Sequence, residues 1–445
     1  MLDAVLKQNP RTAPQDGYAV APKGPSRRVM LFAEGVTLAH VARPLAIASA
    51  LVQRGHHVTL AVDDRYARLT FNAPFRVVTA PGIEPARFLA ALARGRPVFD
   101  VATLRRYVRD DLRLIEQEKP DVVIGDFRLS LAVSARRAGV PYAAISNAYW
   151  SPAHRPAQFP LPVLPFTSFV PLGVARLMFR TAQPLAFSLH ARPMEQLRRE
   201  HGLPALGGDL QRAYTDSDRT LYADVPEMYS AEGAAAECFL GAMPWSPSVE
   251  RPSWWNEWEQ FKGDRIYVTL GSSGAAHLTG RLLQALADLP VLVAVSTAGR
   301  MLAGPLPANA RQAAYLPGSE MSRNSALVVC NGGSPATQQA LMEGVPVVGV
   351  CSNMDQFMNM QSVERAGAGV VVRADRAGLA DVRATLRAAL ADAGLINRAR
   401  AWKPVFARHD FAAAVERHVQ ALTELGAARP TASASGRSAD PSAAS

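Results

Sequence analysis

The sequence predicts an α/β fold made of two Rossmann-like, doubly wound domains that face each other across a cleft. The chain has 445 residues, which is more than one hydrophobic core usually serves, so two domains of roughly 200 residues each are expected. Hydrophobic residues make up 49% of the chain and charged residues 19%, which is typical of a globular protein and excludes a disordered one. In each half, short apolar runs alternate with helical patterns, which favours parallel sheets.

The first half opens with a βαβ unit. An apolar run at 28–33 predicts a buried strand, a loop with Gly35 follows, and a helical pattern over 41–54 leads to a second strand at 58–62. A strand, a helix and a strand in this spacing are typical of a parallel sheet. Further elements are predicted in the order strand 75–78, strand 121–126, helix 129–138 and strand 142–146. The carboxyl ends of such strands are where a ligand site is expected.

The second half repeats this alternation from Asp264 onward. Its predicted elements are strand 265–270, helix 278–286, strand 291–296, strand 326–330, helix 335–343, strand 345–350 and an edge strand 370–373. The helical pattern over 398–425 is long enough to reach back across the first domain. No internal repeat is evident beyond the similarity of the two halves.

Domain boundaries follow from composition. Residues 1–27 lack the apolar core of a signal peptide, so a disordered leader and a cytoplasmic protein are expected. Proline and tryptophan without periodicity indicate a linker. The predicted division is leader 1–27, first domain 28–240, linker 241–263, second domain 264–397, returning C-terminal helices 398–426, and a disordered tail 427–445 rich in Ala, Ser and Pro.

Charge and cysteine content narrow the function. The three cysteines have no paired spacing, which excludes a disulfide framework or a zinc cluster and fits a reducing compartment. The formal net charge is +10, but there is no basic run with interleaved aromatic residues, so nucleic acid is not an expected partner. A basic surface suits an anionic ligand or an anionic membrane face better.

An apolar segment over 157–189 is interrupted by prolines and arginines. It has no uninterrupted window of about 18 apolar residues, so a transmembrane helix is not expected. The segment is compatible with a helical cap that lines an apolar pocket, which we favour, or with a membrane-facing patch.

The most informative motif is Val328-Val-Cys-Asn-Gly-Gly-Ser-Pro-Ala-Thr337, followed by Gly344-Val-Pro346 and Asp355-Gln356. A strand ends, two glycines allow a close turn, and a helix begins with a proline near its first turn. Free N–H groups and the positive end of the helix dipole then face the cleft, which suits phosphates without a metal. Gly-Gly alone would indicate only a tight turn. Asp355 and Gln356 add groups that can bind neighbouring sugar hydroxyls.

At these residues the sequence resembles the family 1 glycosyltransferases of the GT-B fold, which include bacterial macrolide-type enzymes and UDP-glycosyltransferases. Their donor motif has the order His-Gly-Gly-x-x-x-Thr, Glu, Gly-Val-Pro and Asp/Glu-Gln, and this chain follows it from Asn331 to Gln356. The resemblance extends over most of 28–425. It implies a nucleotide-sugar site that includes Gly332, Gly333, Ser334, Thr337, Asp355 and Gln356.

The motif departs from the family at two positions. The family's histidine, which meets the donor diphosphate, is Asn331, and its glutamate, which holds the ribose hydroxyls, is Gln339. Asn331 can donate an N–H but never carries a charge. One interpretation is drift with binding preserved by the helix dipole. The other is a changed nucleotide, because a dTDP-sugar lacks the 2′-hydroxyl that a glutamate would hold.

The resemblance also implies roles for residues outside the motif. Tyr315 matches the position of an aromatic residue that stacks on the base, although a buried strand-end aromatic is an equal interpretation. Gly271, Ser272 and Ser273 match the loop that approaches the phosphates, and Asn147 falls near the donor sugar.

Catalysis requires a base, because a hydroxyl is a poor nucleophile. His40 alone would suggest a helix cap or surface residue, and Asp126 alone a loop cap. With the donor motif in register, the resemblance implies that His40 is the general base and that Asp126 orients it. No metal and no cofactor other than the nucleotide-sugar co-substrate are predicted.

The sequence therefore predicts an inverting, metal-independent glycosyltransferase. It would use a UDP- or dTDP-sugar and a hydrophobic small-molecule or lipid acceptor, with peripheral contact to the inner face of the membrane as a variant. A non-catalytic sugar-nucleotide-binding homologue that serves a partner enzyme is the alternative, which Asn331 and Gln339 allow.

Overall fold

The computed structural model describes residues 25–428 except 230, 232, 244, 247, 248, 272–277 and 303, with the side chains of 233–235 also left out. Its described secondary structure forms two parallel sheets of six strands each. The fold predicted from the sequence is confirmed.

The first sheet has the strand order β3-β2-β1-β4-β5-β6. The elements of this half are β1 Arg28–Ala33, α1 Ala39–Gln53, β2 His57–Val62, α2 Ala67–Thr70, β3 Arg76–Thr79, α3 Pro85–Ala93, α4 Val101–Glu118, β4 Val122–Asp126, α5 Leu131–Arg137, β5 Tyr142–Ser146, α6 Leu172–Glu200, α7 Leu210–Tyr214 and β6 Arg219–Tyr222. All five strand pairs are parallel. Because β1 lies between β2 and β4, the chain reverses its direction of winding at β1 and β4, which is the usual place for a ligand.

The second sheet has the order β12-β11-β10-β7-β8-β9, again with parallel pairs. Its elements are α8 Trp255–Gln260, β7 Asp264–Thr269, α9 Thr279–Leu286, β8 Val291–Ser296, β9 Ala310–Ala313, α10 Gly318–Arg323, β10 Leu327–Cys330, α11 Ser334–Met342, β11 Val347–Cys351, α12 Met354–Arg365, β12 Gly369–Arg373, α13 Leu379–Ala391, α14 Ala393–Ala407 and α15 Phe411–Ala428. The corresponding point of reversal lies between β7 and β10.

Apolar clusters cover both faces of each sheet. The central strands are buried on both sides; β4 and β5, for example, have no exposed residue. This explains why they have continuous apolar sequences rather than alternating ones. The layers fix the carboxyl ends of the two sheets as the walls of the cleft.

The C-terminal helical pattern is divided in the structure. α14 ends at Ala407 and α15 begins at Phe411, with the Asp410 carboxylate accepting a hydrogen bond from the Ala413 N–H at 2.9 Å. A side chain that caps a helix start favours a break, because it satisfies N–H groups that a continuous helix would pair internally. α15 packs its apolar residues Ala414, Val415, Val419 and Leu422 into the core of the first domain.

Several elements are absent from the predictions made from the sequence, including the helices α3, α4, α12 and α13 and the strands β6 and β9. β6 and β9 are edge strands of four residues. The proline-containing segment forms α6, a single helix of 29 residues that includes Pro184 and Pro193. The structure describes no helix that is long and apolar enough to span a membrane.

Candidate active site

The carboxyl ends of both sheets meet at a cavity of about 930 Å³, which residues from both domains line. Cavities of this size accommodate a large organic ligand or two smaller ones. The first-domain side holds His40, in the helix that follows β1, and Asp126, at the end of β4. The other side holds Gly271, which follows β7, and Asn331, which follows β10. Both groups thus lie at the points where the winding reverses.

His40 and Asp126 form the predicted pair. His40 lies in the first turn of α1, and Asp126 is the last residue of β4, in register with Ala33 of β1. The His40 Nδ1 is 2.7 Å from the Asp126 Oδ1. Asp126 is fully buried, whereas the His40 side chain is 20% exposed and lines the cavity. The ring is also stacked on Phe127 at 4.8 Å between centroids.

The surroundings of Nδ1 determine which nitrogen of His40 carries the proton. The Arg43 Nη2 lies 2.9 Å from Nδ1, slightly farther than the carboxylate oxygen at 2.7 Å. A guanidinium only donates and an ionised carboxylate only accepts. We assign the Nδ1–H tautomer, because it gives the shorter contact a donor. Nε2 then keeps a lone pair with which it can take a proton.

Arg43 belongs to the candidate site and was missed by the sequence analysis. It is buried and donates from Nε and Nη2 to the two carboxylate oxygens of Asp126, at 2.7 Å each. Its Nη1 donates to the Asn147 Oδ1 at 2.8 Å. Asp126 is thus fixed by a bidentate pair in addition to His40. An arginine three residues after a candidate base, on the same helical face, was the available signal.

Asn147 connects the two domains. Its Nδ2 donates to the Ser334 Oγ at 2.9 Å, at the start of α11, and to both oxygens of Asp224 at 3.1 Å. Asn147 was predicted near the donor sugar; the structure places it on the cavity wall between Arg43 and Ser334. One line of hydrogen bonds therefore runs from the His40–Asp126 pair to the start of α11.

Asp224 was also missed. It follows β6, is buried, and accepts hydrogen bonds from the Ala148 N–H at 2.7 Å and the Gln338 Nε2 at 3.0 Å. Burial raises the pKa of its carboxyl to about 6, although the hydrogen bonds from Ala148 and Asn147 and the charge of Arg43 act in the opposite direction. Because Gln338 belongs to α11, Asp224 holds this helix against the first domain. The short strand before it gave too weak a pattern to predict.

Residues 331–333 of the donor motif, which we call the donor loop, adopt the close turn that the two glycines predict. Gly332 has φ of 78°, and a Cβ there would lie 2.5 Å from the Cys351 Sγ, so only glycine fits. The Asn331 Oδ1 accepts from the Gly333 N–H at 3.1 Å, and α11 starts at the next residue. Gly271 lies beside this loop, since a Cβ on it would be 3.4 Å from the Asn331 Nδ2.

Gln339 and Tyr315 line the cavity on the second-domain side. The Gln339 Nε2 donates to the Trp245 carbonyl oxygen at 2.8 Å, which directs its amide toward the segment between the domains. Its Oε1 occupies the space that a side chain at position 318 would need, 2.2 Å from a Cβ on Gly318. Gln339 and Gly318 are therefore complementary. Tyr315 is half-buried, and its ring remains part of the cavity wall.

Asp355 and Gln356 lie in the first turn of α12. The Asp355 Oδ1 accepts from the Trp150 Nε1 at 2.8 Å and the Tyr149 hydroxyl at 3.1 Å, both from the first domain. The Gln356 Oε1 accepts from the Ser352 N–H at 2.8 Å, whereas its buried Nε2 has no partner within the described part of the chain. A buried nitrogen without a partner is rare in folded proteins.

The remaining predicted donor residues differ in placement. Ser334 and Gly333 line the cavity. Thr337 and Gly332 are not among the lining residues: the Thr337 hydroxyl donates to the Ser334 carbonyl at 3.0 Å inside α11. The Thr337 side chain is buried and is not part of the cavity wall, and its predicted role in donor binding stays a prediction. Ser272 and Ser273 lie outside the described residues.

The first-domain side of the cavity is apolar. Its wall comes from α2, α3, the loops before α4 and after β4, α6 and α7, and includes Leu69, Phe88, Leu89, Leu92, Val98, Phe127, Phe179, Phe187 and Tyr214. His40 stacks on Phe127 of this apolar wall and is joined to the polar side through Arg43 and Asn147. Such a site favours a ligand with a large apolar part and one reacting polar group.

Comparison with known proteins identifies the family. Residues 280–407 match the family model "Erythromycin biosynthesis protein CIII-like, C-terminal domain". Over 426 residues the chain is 43% identical to a PGL/p-HBAD biosynthesis glycosyltransferase of Mycobacterium tuberculosis (strain ATCC 25177 / H37Ra), with 95% of this chain and 97% of that protein covered. The chain belongs to the family 1 glycosyltransferases of the GT-B fold. The resemblance noted in the sequence is confirmed.

Other relatives of this glycosyltransferase agree. It is 46% identical over 377 residues to a PGL/p-HBAD biosynthesis rhamnosyltransferase of Mycobacterium bovis (strain BCG / Pasteur 1173P2), covering 84% of this chain and 82% of that one. A third relative, from the same strain, is called an inactive PGL/p-HBAD biosynthesis glycosyltransferase and is 42% identical over 287 residues, 64% of this chain and 76% of that one. The solved structure of the glycosyltransferase VinC in complex with DTDP has a TM-score of 0.64 at 17% identity, covering 89% of this chain and all of that one, which supports the fold.

Proposed function

We propose that this glycosyltransferase moves a sugar from a UDP- or dTDP-sugar to the hydroxyl of a phenolic or lipid acceptor, with inversion at the anomeric carbon and without a metal ion. One observation carries the proposal: His40, which is paired with the buried Asp126, lines the same cavity as the start of α11. The base and the leaving group of one displacement would then lie on opposite walls.

The reaction balances in one step. The acceptor hydroxyl gives its proton to the His40 Nε2 while its oxygen forms a bond to the anomeric carbon. The bond from that carbon to the diphosphate oxygen breaks, and the diphosphate leaves with the electron pair. Asp126 stabilises the imidazolium that forms. A single displacement inverts the anomeric configuration.

The diphosphate would be held by the donor loop and the first turn of α11. The first N–H groups of a helix lack partners within it, and its dipole favours negative charge. Asn331 and the Ser334 hydroxyl lie at this end. The negative charge on the leaving group would thus be stabilised by dipoles and N–H groups. Full turnover in excess EDTA is the expected result, and loss of activity that Mg²⁺ restores would contradict metal independence.

Two arguments support a phenolic or lipid acceptor. The apolar first-domain wall suits an aromatic or alkyl body, and the relatives at 43% and 46% identity are named for PGL/p-HBAD biosynthesis. A phenol also ionises more readily than an alcohol, with a pKa near 10 as in tyrosine. Proton transfer from a phenol to a neutral imidazole is therefore less unfavourable than proton transfer from an alcohol.

The nucleotide is proposed from Gln339. Its amide is engaged by the Trp245 carbonyl and carries no charge. It is therefore a poor partner for the two hydroxyls of a UDP ribose, and dTDP has no 2′-hydroxyl to satisfy. We favour a dTDP-sugar, with rhamnose as the first sugar to test because one relative is a rhamnosyltransferase.

The test is a panel of UDP- and dTDP-sugars, each incubated with the purified protein with and without a simple phenol. Release of one nucleoside diphosphate that depends on the phenol, with an inverted glycoside as product, is expected. Donor binding without transfer to a phenol, an alkyl alcohol or a lipid extract would contradict the proposal and favour a non-catalytic role.

A Gln339→Glu substitution tests the nucleotide assignment. Glutamate can accept from a 2′-hydroxyl, and a hydrogen bond to a charged group corresponds to about tenfold or more in affinity. The ratio of kcat/KM for the UDP-sugar to that for the dTDP-sugar should therefore rise about tenfold. Gln312→Glu, at an exposed position on β9, makes the same change outside the cavity and should leave the ratio unchanged. An unchanged ratio in Gln339→Glu would remove Gln339 as the discriminating residue.

A further inference from the structure

Helix α6 is apolar on two faces. One face contributes Phe179, Ala182, Ala186 and Phe187 to the cavity wall. A helix that packs on a domain by one face is expected to carry polar residues on the opposite face. α6 departs from this pattern, and the departure requires an explanation.

The second face is exposed to solvent. Val174, Leu177, Met178, Leu185 and Leu189 are 51%, 55%, 50%, 68% and 46% exposed. At 3.6 residues per turn these positions fall within an arc of about 120°. They form a stripe about 22 Å long, given a rise of 1.5 Å per residue. We call this set of five residues the apolar stripe. Phe169, 87% exposed, precedes the helix.

The apolar stripe adjoins the cavity. Met178 belongs to the stripe and also lines the cavity. Ala182, one turn further along α6, is likewise exposed to solvent and lines the cavity. The edge of the stripe is therefore the edge of the cavity wall. A ligand that leaves the apolar wall past α6 would meet apolar side chains rather than water.

The part of α6 that carries the stripe has charged residues of one sign. From Leu172 to Met194 it contains no aspartate or glutamate and three arginines. Arg176 and Arg180 lie on α6 itself and are exposed. Long basic side chains beside an apolar face are typical of helices that lie in the plane of an anionic bilayer, where the arginine heads reach the phosphates.

We propose that the apolar stripe of α6 binds the surface of an anionic lipid bilayer and holds the apolar side of the cavity at that surface. The inference depends on the proposed function in one respect, which is that the acceptor would enter the cavity from the lipid phase. Because the charged side chains on this part of α6 are all basic, they favour an anionic bilayer. A protein partner would instead be expected to present carboxylates opposite individual arginines. The helix would lie on the membrane, with its axis in the plane.

Vesicle sedimentation tests the proposal without requiring activity. The full chain should sediment with vesicles that contain phosphatidylglycerol and much less with pure phosphatidylcholine. Leu177→Gln/Leu185→Gln removes two apolar contacts without adding charge and should weaken binding tenfold or more. Arg176→Gln/Arg180→Gln should remove most of the preference for the anionic vesicles. Met301→Gln, at an 86% exposed residue of the second domain, is the matched control and should bind like wild type.

Three further readouts separate this inference from the proposed function. Turnover of a water-soluble phenol should be unchanged in Leu177→Gln/Leu185→Gln, because neither leucine lines the cavity, whereas turnover of an acceptor embedded in vesicles should fall. Equal vesicle binding by this variant and wild type would overturn the inference. So would a wild-type dimer in solution that the same variant converts to monomer, because the stripe would then be a protein interface.

Discussion

Replacing His40 with alanine tests the proposed base, and the structure indicates what else the change would remove. Asp126 keeps both hydrogen bonds from Arg43 at 2.7 Å, so no buried carboxylate is left unpaired. The lost interactions are one charge-assisted hydrogen bond and the stacking on Phe127. We expect unfolding to become easier by about 2 to 4 kcal/mol, which a protein of this size tolerates.

The catalytic effect should be larger and separate. General-base catalysis contributes about 10²–10⁴-fold, which is about 3 to 5 kcal/mol of barrier. Initial rates of nucleoside diphosphate release at saturating phenol should fall by that factor in His40→Ala. Calorimetric affinity for the donor diphosphate should change less than threefold, because the donor loop lies on the other domain.

The control variant is His57→Ala. His57 begins β2, at the amino ends of the strands, and is exposed, so the same change there should leave turnover and donor affinity intact. Turnover of His40→Ala within threefold of wild type would refute the assignment of the base. A fall in donor affinity that matches the fall in turnover would instead show that His40 positions the donor.

Three further predictions concern folding. Asp126→Asn should lower the free energy of unfolding by about 3–5 kcal/mol, more than His40→Ala does, because it breaks the buried pair with Arg43. Denaturant titration measures both losses, and equal losses in the two variants would contradict the bidentate role of Asp126. Gly332→Ala should lower the melting temperature more than Gly202→Ala, since both have positive φ but only the first places a Cβ against a buried sulfur; equal shifts would show that backbone strain alone matters. His418 is buried, and its pKa is lowered to about 4, chiefly by that burial. Between pH 6.5 and 4 the unfolded chain therefore binds a proton at this histidine more tightly than the folded chain does. The folded state loses stability as the pH falls through that window. His418→Gln should remove about 1.4 kcal/mol of the stability difference between pH 7.5 and 5.5, and an unchanged pH dependence would place the titration elsewhere.

The central strands were predictable because burial on both faces leaves a continuous apolar sequence. Tyr142–Ser146 and Val291–Ser296 have the bounds expected from the sequence. The edge strands Arg219–Tyr222 and Ala310–Ala313 were not predicted, since each is half-exposed and contains an arginine. Their pairing is decided by the neighbouring strand rather than by their own composition.

Helix α6 shows a different limit. Proline inside a sequence favours a break, because it removes a backbone donor and clashes with the preceding turn. The structure nevertheless continues the helix through Pro184 and Pro193. Packing of Ala191, Met194 and Leu197 against the first domain outweighs the local cost.

The candidate site was predicted where a motif carries it and missed where tertiary contact carries it. His40, Asp126 and Asn331 stand in recognisable order along the chain. Arg43 and Asp224 have no motif; their roles follow from what reaches them across the fold. Each is defined by partners 70 or more positions away, which one sequence does not reveal.

The return of α15 to the first domain has a consequence for synthesis of the protein. The layer beside β1 and β2 includes Val415 and Val419, and His56 pairs with Glu416 across 360 positions at 2.8 Å. A ribosome adds residues from the amino end, so the first sheet forms long before the helix that covers it. Until then, apolar side chains of its core face solvent. The first domain to be made is therefore the last to be completed.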